Sequence, residues 1–141
     1  MKKLLESERI LMIAVGILLL SILLMIIILP GIFYDSAPQA NPKGAATGIL
    51  LAILIHLIIF AGFIKVIRST RTSTRYKKRE FLAIGILLLV FGFIYLDGAF
   101  AFLSHKNIFY VSILMFISVL CDLVASTISI IVYFSKPLKK V

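Results

Sequence analysis

Apolar residues fall in four long runs, Ile10 to Leu29, Ala45 to Ile67, Phe81 to Leu103 and Ile108 to Phe134, with polar or helix-breaking residues between them. Each run reaches about 20 residues, the length at which a helix rising about 1.5 Å per residue crosses a hydrocarbon core. Pro30 and Gly31 close the first run, and Asp35, Pro38, Asn41 and Pro42 make the following stretch, with Lys43, an exposed loop. Glu80 precedes the third run, as suits an acid at a helix N-terminus. Ser104, His105, Lys106 and Asn107 form a tight turn, with Asn107 as N-cap of the last helix, and Ser135, Lys136 and Pro137 end that helix. The first run is read as a retained helix, because the apolar core of a signal peptide is only about 7 to 15 residues long.

These runs predict an all-α integral membrane protein: one four-helix transmembrane domain over residues 1–141, built as two antiparallel hairpins with both termini on one side. The hairpins are joined by a basic connector over residues 65–80. Within the runs, the sparse polar and small residues are not scattered. At about 100° per residue, Ser118, Asp122, Ser126, Ser129 and Tyr133 share roughly a quarter of the fourth helix's circumference, a stripe that must face protein or water. Gly85, Gly92 and Ala99 recur every seven residues on the third helix, where another backbone can approach. Ala45, Gly48, Ala52 and His56 share a face of the second helix.

Composition narrows the class further. With 62% hydrophobic residues and a mean hydropathy of +1.15, the chain carries more apolar surface than a soluble domain of 141 residues can bury. The net charge of +9 comes without a nucleic-acid-binding motif, so no nucleic acid partner is expected. Thirteen of the fifteen basic residues lie at the two termini and in the connector, leaving only Lys43 and Lys106 opposite, which orients both termini to the cytoplasm of a cell membrane. Lys65, Arg68, Arg71, Arg75, Lys77, Lys78 and Arg79 exceed what orientation alone requires, and suit anionic lipid headgroups at about 1 kcal/mol each. There is no Trp, so Tyr34, Tyr76, Tyr110 and Tyr133 near the run ends must serve as interfacial anchors. The one cysteine, Cys121, offers neither a disulfide nor a metal pair, and about 100° of helix separates it from Asp122.

The candidates for chemistry are the ionisable residues inside the runs: His56, Asp97 and Asp122. Each costs about 2.5 to 3.5 kcal/mol at mid-bilayer, so each is expected to turn inward to a partner or a wet cavity. Measured from the outer run ends they lie roughly 16, 9 and 21 Å deep, with His56 between the two carboxylates. With Ser118, Ser126 and Ser129 they form a candidate intramembrane polar cluster. One reading is a contact surface between helices; the other is the wall of an ion or proton path. No catalytic motif, cofactor site or short-spaced metal signature is present, and two-histidine haem ligation is disfavoured because His105 is in the outer turn. The expectation is a non-catalytic subunit or accessory protein that self-associates or joins a larger membrane complex. The alternatives are a small oligomeric proton- or cation-linked transporter or channel using Asp122, Asp97 and His56, and an intramembrane lipid-modifying enzyme.

Overall fold

A computed structural model describes residues 2–35, 42–72, 78–103 and 109–134, and their side chains over 9–32, 46–68, 79–103 and 109–134. The described chain is wholly helical: α1 (Lys2–Asp35), α2 (Pro42–Thr72), α3 (Lys78–Leu103) and α4 (Phe109–Phe134). Each contains a segment long and apolar enough to cross a membrane, namely Arg9–Ile32, Ala46–Arg68, Arg79–Leu103 and Phe109–Phe134. Helix is the one local structure that lets such a segment satisfy its own backbone in hydrocarbon.

Two prolines read as breakers are helical. Pro30 lies inside α1, exposed on the outside of the bundle, and the helix runs five residues past it to Asp35. Ending the helix at Pro30 would strip several carbonyls of their bonds, whereas passing through it forfeits one N–H. Gly31 then seats the Tyr110 side chain of α4, which a Cβ at position 31 would strike. Pro42 is the first residue of α2, where its missing N–H costs nothing. Toward the other end, α2 continues through Lys65, Arg68 and Arg71 to Thr72, so the connector is partly helical. Lys78 opens α3, and Glu80 lies in its first turn. Arg75, Lys77, the turn Ser104–Asn107 and the tail after Phe134 lie outside the described residues.

The helices pack as a ring, α1 beside α2, α2 beside α3, α3 beside α4, and α4 beside α1, with α2 and α4 facing each other across the diagonal. The closest packing is α3 on α4, and the thinnest is α2 on α3. The α3–α4 seam shows why. Ser126 Oγ donates to the Gly85 carbonyl at 2.7 Å, and Ser112 Oγ donates to the Ala99 carbonyl, also at 2.7 Å. The two serines and the two acceptors are each fourteen residues, two heptads, apart, as antiparallel helices in coiled-coil contact require. Between them Gly92 admits the Asp122 and Leu123 side chains, and at Gly85 a Cβ would come within 2.8 Å of Ile130 and 3.2 Å of the Ser126 carbonyl oxygen. Small residues on α3 thus let α4's hydroxyls reach α3's backbone.

The apolar core is divided. One cluster, including Leu11, Leu18, Phe63, Phe81, Leu88 and Val132, fills the end where α1 begins and α4 ends. A second, including Met25, Ile32, Ile49, Ala99, Val111 and Met115, fills the opposite end. Outside, Ile13, Ile27, Ile58, Phe93, Leu120 and Ile131 are more than half exposed, an apolar jacket suited to acyl chains. The exposed cations Arg9, Lys65, Arg68 and Arg79 gather at the first end.

Candidate intramembrane polar site

Between the two apolar clusters lies a polar layer made by one residue from α1, one from α2 and two from α4. Ser21, His56, Ser118 and Asp122 are all fully buried. His56 Nε2 meets Asp122 Oδ2 at 3.1 Å, across the diagonal of the bundle. This contact joins α2 and α4, one of the two diagonal pairs whose backbones stay apart. On the neighbouring seam, Ser21 Oγ and Ser118 Oγ are hydrogen-bonded at 2.7 Å.

The geometry counts the protons. His56 Nδ1 lies 2.8 Å from the Ala52 carbonyl oxygen, one turn back on α2. A carbonyl only accepts, so Nδ1 carries a hydrogen and donates. The contact at Nε2 then needs one more proton, held either by Nε2 against a carboxylate or by the carboxyl against a neutral ring. In either arrangement the pair is neutral overall, and this makes burial in an apolar core affordable. The ring is held edge-on by Phe91, with centroids 6.1 Å apart, and Tyr95, with centroids 6.0 Å apart, at successive turns of α3. Two buried oxygens in this region have no hydrogen-bond partner among the described residues: Asp122 Oδ1 and the Tyr95 hydroxyl.

The other candidates separate clearly. Ser126 is spent on α3's backbone, and Ser129 Oγ donates to the Ala125 carbonyl of its own helix at 3.0 Å. Both are buried, but their hydrogen bonds go to backbone carbonyls and not to the histidine–aspartate pair. Tyr133 is half-buried and packs edge-on against Phe134. Asp97 does not join the cluster: it is exposed on the outside of α3. The reason is helical phase, since Tyr95 and Ala99 face inward and a residue two positions from each points the opposite way. Of the small-residue face on α2, Ala52 and His56 are buried, but Gly48 is exposed, and a Cβ there would meet nothing within 4 Å. Cys121 is a free, half-buried thiol. Among the described residues no group of three His, Cys, Asp or Glu side chains is placed to hold a metal ion.

Because nothing on α2 is closed down at Gly48, the α2–α3 seam opens there into a groove of about 220 Å³. Gly48 and Ile49 of α2 and Ile94, Gly98 and Phe102 of α3 form its walls, with Met115 and Tyr95 at its base.

Sequence reasoning passed over Ser21, Ser112, Tyr95 and Phe91. Ser21 carries a usable signal, as the lone hydroxyl between Ile10 and Leu29. Ser112 has one too, standing two heptads before Ser126. The two aromatics carry none, since Phe and Tyr are frequent in such helices. The chain matches no protein-family model, no curated protein and no solved structure.

Proposed function

We propose that this chain is a non-catalytic subunit or accessory protein of a larger membrane assembly, in the cell membrane with both termini and the basic end at the cytoplasmic face. Asp97 is the observation that supports this reading best. It is exposed on α3 beside Phe93, Ile94 and Phe100, all more than half exposed, and among the described residues it has no partner. It lies six residues, or about 9 Å, inside the end of α3, and its short side chain cannot reach water as a lysine stem does. A carboxylate facing acyl chains is costly, and a hydrogen-bond donor on a neighbouring membrane segment removes that cost. The inner polar groups support the same reading from the other side, because Ser21, Ser112, Ser118, Ser126 and the His56–Asp122 pair are committed to neighbouring helices rather than strung into a path.

The basic residues Lys65, Arg68 and Arg79, exposed together with Arg9, suit anionic headgroups on that face, and Arg71, Arg75, Lys77 and Lys78 add to the same charge in sequence. The unpartnered Asp122 Oδ1 favours a second reading, a proton- or cation-linked transporter centred on Asp122 and His56. Extraction in mild detergent tests the first. A defined oligomer or a co-purifying partner is expected, dissociating in Asp97→Leu with no change in the thermal unfolding of the chain. A lone monomer from the unsubstituted protein overturns it.

A further inference from the structure

We infer that the groove between α2 and α3 is a binding site for a membrane-soluble alcohol, an amphiphile with one hydroxyl head and an apolar body, whose head is taken up at Tyr95 and Asp122. This inference stands apart from the subunit reading, which rests on Asp97.

The groove specifies both parts of such a ligand. Apart from Tyr95 its named walls offer only apolar side chains and glycines, so whatever lies there is itself apolar over most of its surface. At about 220 Å³ it is smaller than sites that enclose a whole drug-sized molecule, typically about 300 Å³ upward. It seats a head and its first few carbons, leaving the remainder among the lipid chains into which the seam opens. The head is specified by two oxygens. Tyr95 is buried and its hydroxyl has no acceptor among the described residues; Asp122 is fully buried and its Oδ1 has no donor among them. Asp122 Oδ1 accepts whichever member of the pair holds the shared proton, since that proton lies at the Oδ2 side. One hydroxyl accepts from the tyrosine and donates to the carboxyl. A ketone, an ester carbonyl or an alkane does at most one of these.

Access follows from the packing. Both oxygens are buried beneath the open groove, so the head reaches them as α2 moves further from α3. These are the adjacent helices with the least contact, and Gly48 puts no side chain in the way. Tyr95 connects the two regions: it lines the groove, stands edge-on to the His56 ring, and sits one turn from Gly92, which packs against Asp122.

The experiment is photolabelling of the full chain in phosphatidylcholine nanodiscs, using hexadecan-1-ol with a diazirine close to the hydroxyl. Unlabelled hexadecan-1-ol and hexadecane serve as competitors. The label is expected on α2 and α3 facing the seam, with the alcohol competing about a hundredfold better than the alkane, the scale of two hydrogen bonds. Tyr95→Phe should weaken labelling about tenfold, and Gly48→Phe, whose ring occupies the groove, should abolish it. Equal competition by hexadecane overturns the proposal, since water then serves the two oxygens. So does labelling spread over all four helices and unchanged by either variant, which marks annular lipid only. Thermal unfolding of both variants verifies the fold, and Tyr95→Phe alone decides the matter if Gly48→Phe does not fold.

Discussion

Replacing Asp122 separates a hydrogen-bond lock from a charge requirement, because the His56 tautomer dictates what each substitution leaves behind. Nδ1 of His56 is committed to the Ala52 carbonyl, so a neutral ring presents a lone pair at Nε2. In Asp122→Asn the amide N–H donates to that lone pair over a contact like the present 3.1 Å one, and the diagonal stays joined. In Asp122→Leu the nitrogen is left bare in a core where His56 is fully buried. Hydrogen bonds between membrane helices average about 0.6 kcal/mol and reach about 1.7, because partners are also found in the unfolded state. Orphaning a fully buried polar group costs about 1 to 3 kcal/mol. The second effect wins here, since among the described residues Nε2 has Asp122 as its one hydrogen-bond partner, so Asp122→Leu should cost about 2 kcal/mol, roughly thirtyfold in the unfolding equilibrium. Asp122→Asn should cost less than about 0.5 kcal/mol. His56→Leu should cost about 3 kcal/mol, as it strands a carboxyl whose Oδ1 already lacks a partner. The double variant His56→Leu, Asp122→Leu should lie closer to the parent than either single leucine variant, because an apolar pair of similar volume replaces a buried polar one. The assay is equilibrium unfolding in mixed micelles of rising dodecyl sulfate fraction, followed by tyrosine fluorescence. Additive leucine variants, or an asparagine variant as damaged as the leucine one, would rule out a hydrogen-bond lock between His56 and Asp122.

Other seams give independent tests. Gly85→Ala should destabilise by about 1 to 3 kcal/mol in the same assay, since its Cβ meets Ile130 and the Ser126 carbonyl, whereas Gly48→Ala should be neutral or slightly stabilising. Ser126→Ala and Ser112→Ala should each cost about 0.5 to 1 kcal/mol and add to one another, because two heptads separate them. In a Cys121→Ala background in intact cells, a cysteine at position 73 should resist a membrane-impermeant maleimide while one at position 36 reacts; the reverse pattern would invert the proposed orientation.

The four runs and their spans were legible because lipid allows few solutions: a long apolar stretch must be helical, and its length sets the crossing. Pro30 and Pro42 misled for the same reason. In water a proline ends a helix, but hydrocarbon penalises the break more than the lost N–H, and at a first turn nothing is lost. The polar arc of α4 was readable because 3.6-residue periodicity is a property of one helix. Whether His56 meets Asp122 or Asp97 is a property of two, and depends on how α3 rotates. The inward Tyr95 and Ala99 give that rotation, but both are ordinary residues in a row of apolar ones. The open α2–α3 seam was hidden too, since Gly48 looks as ready for contact as Gly85 and only the neighbour's side chains tell them apart.

One shared proton and one hydrogen bond close the bundle across its diagonal at His56 and Asp122. Solid-state NMR in bilayers measures this closure directly, by dipolar dephasing between the ¹⁵Nε2 of His56 and the ¹³Cγ of Asp122 together with the histidine ¹⁵N shifts. Strong dephasing set by the 3.1 Å contact and a protonated Nδ1 are expected. Absent dephasing, or a histidine protonated only at Nε2, would contradict it.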